Sequence, residues 1–130
     1  MILLDTHIWI WWVNGSNRLT TLQKKTITDN ESKEIGVSII SCWEAAKLVE
    51  NDRLELTRTI QEWMKIALNY PGITLLALTP EIVIESTQLP EFSHRDPADQ
   101  MIVATSRVLN CPLITSDSKL LQYRHIETIG

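Results

Sequence analysis

Cysteine, glycine, basic charge and long apolar runs are all scarce in this chain of 130 residues. Its two cysteines, Cys42 and Cys111, are too few for a disulfide scaffold. No basic stretch precedes the opening Met1-Ile2-Leu3-Leu4-Asp5, so no export signal is expected. Both thiols are then expected to be reduced and buried in a cytoplasmic protein. Only four glycines are present, and they form neither a P-loop nor a G-x-G-x-x-G fingerprint, which removes nucleotide-dependent readings. The sequence has no G-x-S-x-G elbow for a serine hydrolase. Its histidines, His7, His94 and His125, show no zinc-site spacing. The apolar run Ile8 to Val13 falls far short of the ~20 residues that cross a bilayer, so no membrane association is expected. Twelve Lys and Arg face sixteen Asp and Glu, a net charge of −4. That balance excludes nucleic-acid binding by bulk attraction, but not a nucleic-acid enzyme whose carboxylates hold cations.

What remains is an ordinary globular composition, 44% hydrophobic and 22% charged, at a length that suits one domain over 1–130. Short apolar runs alternate with helical patterns. Strands are expected at 2–4, 35–40, 73–78 and 112–115, with a last edge strand at 126–129. Helices are expected at 7–13, 19–31, from Ser41 onward, and at 57–70, 80–89, 97–110 and 118–122. Thr79-Pro80 and Asp96-Pro97 each combine an N-cap with proline at the first helical position. Strands that are apolar on both faces, alternating with helices, predict an α/β fold: three layers, with a central, mostly parallel sheet of four to five strands flanked by helices. Ligands of such sheets bind along the edge where the strands' carboxyl ends lie.

The strand-to-helix turns deliver mostly carboxylates to that edge. Asp5 ends the first strand, Glu44 lies just after the second, Asp99 opens the helix capped by Asp96, and Asp117 follows the fourth strand. Each has a structural reading as well. Ser41-x-x-Glu44 matches a capping box, and Asp96, Asp99 and Asp117 suit helix N-termini. As a set they argue differently. Two carboxylates 4 Å apart repel by about 4 kcal/mol at an effective dielectric of 20. Converging acids therefore take up protons or are neutralised by a cation, and hard oxygen ligands suit Mg²⁺ or Mn²⁺. Such ions promote phosphodiester hydrolysis.

Three of the five tryptophans lie in Trp9-Ile10-Trp11-Trp12. On a helix Ile8 and Trp12 share a face while Trp9 and Trp11 point elsewhere. Trp12 is thus the expected core residue, with Trp9 and Trp11 either covering sheet edges or forming an apolar surface for a partner.

Together the strand ending in Asp5-Thr6-His7 with its Trp-rich helix, the Ser41-x-x-Glu44-x-x-x-Leu48 stretch, the segment HRDPADQMIVATS (94–106) and LITSDSKL (113–120) resemble the PIN-domain family. The likeness is closest to the VapC-type ribonuclease toxins of bacterial toxin–antitoxin pairs, and it spans Met1 to about Leu121. It implies a Mg²⁺- or Mn²⁺-dependent endonuclease acting on RNA, with Asp5, Glu44, Asp99 and Asp117 as the acids of the metal site. Asp96 matches an accessory acid, and Thr115 or Ser116 a polar neighbour. It also implies a homodimer and inhibition by a small antitoxin protein, for which a basic segment inserted into the acidic cleft is expected. Relatives often carry Asp-Pro-Phe-Asp-Arg where this chain has Asp96-Pro97-Ala98-Asp99-Gln100, a difference that bears on local contacts and substrate fit. The alternatives are an RNA-binding or interaction module with little catalysis, and a DNA-directed, structure-specific nuclease of related fold.

Overall fold

A computed structural model describes residues 1–130. Five strands, β1 (Ile2–Leu4), β2 (Ile35–Ser38), β3 (Ile73–Leu76), β4 (Leu113–Ile114) and β5 (Thr128–Ile129), form one sheet in the order β3-β2-β1-β4-β5. Every neighbouring pair is parallel. Seven helices connect and cover them: α1 (Thr6–Val13), α2 (Thr21–Asn30), α3 (Ile39–Glu50), α4 (Ile60–Leu68), α5 (Pro80–Ser86), α6 (Pro97–Leu109) and α7 (Ser118–Leu121). This is the α/β, three-layer arrangement expected from the alternating pattern. No helix is long and apolar enough to cross a membrane.

Side chains of β1 alternate between two cores, as the two-residue repeat of a strand requires. Ile2 and Leu4 join Ile8, Trp9, Ile27, Ile35, Val37, Trp63 and Ala67 on one face. Leu3 joins Ile102, Val103, Leu113, Leu120 and Tyr123 on the other. Helices α1, α2 and α4 thus cover one side of the sheet and α6 and α7 the other, with α5 packed on α6. Thr79 and Asp96 cap α5 and α6 as expected, each followed by proline. Asn14 closes α1, and Gly72, at φ +81°, makes the turn into β3. A side chain at Gly72 would meet the Glu31 carbonyl at 2.7 Å, so this turn requires glycine on steric as well as conformational grounds.

Three expectations change. Strand β2 ends at Ser38, whose hydroxyl caps α3 by accepting from the Ile40 N–H at 3.2 Å. The β-branched Ile39 and Ile40 read as strand, but a cap at the strand's end and the packing of Ile40 against the second core carry them into the helix. Ser41 is therefore inside α3, and Ser41-x-x-Glu44 is no capping box. The second change concerns tryptophan. Trp9 is the fully buried ring of α1, 5.0 Å from the Trp63 ring, with its Nε1 donating to the Ala67 carbonyl at 3.3 Å. It cannot form a partner surface. Trp11 and Trp12 are half-buried, so Trp12 is not the core anchor of the helix. From Ile8 to Val13 α1 is apolar all round, so that stretch offers no polar face by which to choose between them. Finally, both cysteines are free, but only Cys111 is buried and Cys42 is half-buried.

Candidate functional site

The order β3-β2-β1-β4-β5 reverses direction at β1: the chain goes out through β2 and β3 and returns to β4 on the other side. The crevice outside the carboxyl ends of β1 and β4 is where open α/β sheets bind ligands. Asp5 follows β1 and caps α1. Its Oδ1 accepts from the Thr6 N–H at 2.9 Å, and its Oδ2 accepts from the Thr115 hydroxyl at 2.7 Å. Thr115, directly after β4, in turn accepts from the Asp117 N–H at 3.0 Å. One hydroxyl therefore ties the ends of the two central strands together. Asp117 caps α7, accepting from the Lys119 N–H at 2.9 Å.

The other two acids arrive from helices. Glu44, in the second turn of α3, accepts from the Thr6 hydroxyl, which also lies 2.9 Å from the Ser41 hydroxyl. Asp99, in the first turn of α6, is paired with His94. Asp96 caps that helix by accepting from the Asp99 N–H at 3.1 Å, so it positions Asp99. One ligand atom from each of His94, Asp99 and Asp117 lies within 4.8 Å of the others. Ser116 accepts from Gln23 Nε2 at 2.9 Å.

The electrostatics follow from burial among like charges. Burial dominates in raising the carboxyl of Asp5 above its usual range, and Asp117 adds to it. Glu44 is pushed up to about 7, first by burial and then by Asp5, Asp99 and Asp96, against the Thr6 hydrogen bond. Asp99 is pushed up to about 6 by burial, with Asp5 and Asp96 adding, against the His94 hydrogen bond. No lysine or arginine pairs with Asp5, Glu44, Asp99 or Asp117; every such ion pair lies elsewhere, and of the imidazoles His94 pairs with Asp99 while His7 acts on Asp5 only through its charge. A set of oxygen donors that repel one another without an internal counter-charge fits a hard divalent cation.

Stability should report this. An acid whose folded value is raised holds a proton that the unfolded chain has released, so its contribution is complete at low pH and is lost as pH rises. Without divalent cation, the melting temperature should fall between about pH 5 and pH 8, as Asp99 near 6 and Glu44 near 7 ionise. Mg²⁺ or Mn²⁺ at about 100 times its dissociation constant should restore roughly 2.7 kcal/mol. The gain should be greater at pH 8 than at pH 5, because cation and protons compete for the same oxygens. Melting curves with and without the ions measure both; a curve indifferent to them at pH 8 counts against the site.

Three supporting residues escaped the sequence reading. Thr6 links Asp5, Ser41 and Glu44. Fully buried Gln23 forms a true capping box with Thr20 and sends its amide to the Thr115 carbonyl at 3.4 Å. The Thr20-x-x-Gln23 spacing was the available signal. His94, which the sequence marks only by its lack of zinc-site spacing, pairs with Asp99 and is a side chain of the acidic group. Gln100 donates to the His94 carbonyl at 3.3 Å and holds that loop to α6.

The PIN domain family model matches residues 2–126. The chain is 30% identical over 124 residues to Ribonuclease VapC22 of Mycobacterium tuberculosis, covering 95% of this chain and 92% of that protein. Among solved structures, VapBC2 from Rickettsia felis bound to a DNA fragment from its promoter superposes with a TM-score of 0.71 at 15% identity, covering 99% of this chain and 98% of that one. FitAcB from Neisseria gonorrhoeae superposes with a TM-score of 0.69 at 17% identity, covering 100% and 97%. At these identities the two structures speak for the fold alone.

Proposed function

The chain belongs to the PIN-domain family, and on that premise we propose that it is a Mg²⁺- or Mn²⁺-dependent endoribonuclease, the toxin of a bacterial toxin–antitoxin pair. Residues 1–130 act in this reading as one nuclease domain of a cytoplasmic homodimer. What supports it is an acidic group at the reversal point of the sheet: His94, Asp99 and Asp117 bring ligand atoms within 4.8 Å of one another, Asp5 and Asp99 act on Glu44 through their charge, and no lysine or arginine pairs with these acids. The similarity to Ribonuclease VapC22 supports RNA as the substrate, and the likeness to VapBC complexes is consistent with an antitoxin partner.

When bound, a divalent cation supplies Lewis acidity toward the phosphodiester and toward water. The chain supplies the rest. Asp5, locked by the Thr6 N–H and the Thr115 hydroxyl, presents its charge in one orientation. Thr6 holds Glu44 in place, so the two carboxylates keep a fixed relation across α1 and α3. Asp96 and His94 together fix Asp99. Burial and the neighbouring acids push Glu44 up to about 7, so protons hold this carboxyl more tightly than usual near neutral pH and would compete with a bound cation for it.

Glu44→Gln isolates the role of this carboxylate, since the new amide oxygen can still accept from Thr6 and Glu44 caps no helix. The variant should melt at or slightly above the parent at pH 8 without cation, and RNA cleavage should fall by about 10²-fold or more. Unchanged cleavage would remove Glu44 from the centre. The partner is tested in cells. Expression of this chain alone should arrest growth, and co-expression of the small protein encoded beside it should relieve the arrest. A harmless chain, or a neighbour that neither binds it nor lowers its RNA cleavage, defeats the toxin reading while leaving the nuclease reading open to direct assay.

A further inference from the structure

A cavity of about 400 Å³ adjoins the acidic group, within the size range of small-ligand sites. Its walls are the loop before α6, with Phe92, Ser93 and His94, and helix α7 with its end, carrying Lys119, Gln122 and Tyr123. Both walls are anchored in the acidic centre: His94 pairs with Asp99, and the Lys119 N–H is held by Asp117. The floor is aromatic and rigid. The Phe92 ring meets Tyr123 edge-on at 4.9 Å and His94 at 5.9 Å, and the Tyr123 hydroxyl donates to the Pro90 carbonyl at 2.6 Å. Ser93, Lys119 and Gln122 are exposed at the mouth. Lys119 forms no ion pair, although it sits next to Asp117, whereas the acid of this cavity, Glu91, is already taken by Arg124 at 2.8 Å.

Aromatic rings, hydrogen-bonding side chains and one uncommitted cation beside a phosphodiester-cutting centre match the parts of a nucleotide: base face, base edge and phosphate. We propose that this cavity is the subsite for the nucleotide flanking the scissile phosphate of single-stranded RNA, with the base against Phe92, its edge read by Gln122 and Ser93, and its outer phosphate on Lys119. The inference rests on the ribonuclease reading and deepens it, since it assigns the first sequence-reading contact outside the acids.

The test is anisotropy of a fluorescein-labelled single-stranded oligoribonucleotide with Mg²⁺ present, on full-length chain carrying Asp99→Asn so that nothing is cut. Adding Lys119→Gln or Phe92→Leu should each weaken binding about 5- to 10-fold. Lys119→Gln should also lower the salt slope by about one phosphate contact. Phe92→Leu retains an apolar side chain over Tyr123, and Lys119 is exposed, so melting curves should stay near the parent's. In the cleaving chain, Gln122→Ala should change the base preferred at one position beside the cut. Binding and salt slope unchanged in both variants, or no binding by the Asp99→Asn parent, overturns the subsite. RNA cut normally with binding unchanged in the variants sinks the subsite alone. Binding weakened as expected with no cleavage by the unsubstituted chain sinks the nuclease reading alone.

Discussion

Asp5→Asn should lower RNA cleavage about 10³-fold while the protein stays folded. Losing an outer partner of a metal site commonly costs about 10- to 100-fold, and Asp5 is proposed to be a ligand itself. The fold should tolerate the change for three reasons. Asparagine caps a helix about as well as aspartate, so the Thr6 N–H keeps an acceptor. The Thr115 hydroxyl can turn to accept from the new amide instead of donating to a carboxylate. Removing a negative charge that is 8% exposed among other acids also relieves repulsion, which offsets the weaker hydrogen bond. Circular dichroism and melting should therefore match the parent within a few degrees, while a labelled RNA substrate is left intact over the parent's reaction time. Retention of more than about a tenth of the rate, well above the loss typical of even an outer-shell change, would take Asp5 out of the centre.

Trp9→Ala should give the largest loss of stability of any single substitution in α1. The ring is fully buried, packs on Trp63 and hydrogen-bonds the Ala67 carbonyl, so its removal leaves a cavity between β1 and α4 and an acceptor without its donor. Aromatic-to-alanine changes in cores cost about 3–5 kcal/mol. In a domain of this size that lowers the melting temperature by roughly 10 °C or more. Trp43 is the control: it is 54% exposed, and its replacement by alanine should cost about 0.5 kcal/mol or less. Equal melting of the two variants would overturn the placement of Trp9.

Much of this was legible in the residues, because the informative signals were local. Thr79-Pro80 and Asp96-Pro97 state a cap and a first turn in two letters, and both helices begin there. The doubly apolar β1 marks a strand buried on both faces, which puts Asp5 at the sheet's carboxyl edge. What stayed hidden depends on contacts between distant segments. Ile39 and Ile40 favour strand on their own, and only the Ser38 cap and the packing around α3 make them helical. Trp9 and Trp12 are alike in sequence terms, and the arrival of Trp63 from α4 decides which is buried. Thr6 carries no such signal of its own, since its bond to Glu44 requires α1 and α3 to be placed side by side.

The Thr115 hydroxyl bond to Asp5 joins positions 110 residues apart. The central strand is thus the first to be synthesised, and its neighbour β4 is among the last. At roughly 5–20 residues added per second, the ribosome spends about 5–20 s between them. Throughout that interval the growing chain exposes Asp5 and Glu44 without the strand that completes the crevice. An interrupted translation product ending before Leu113 has no β4 and no Asp117, and so no complete centre.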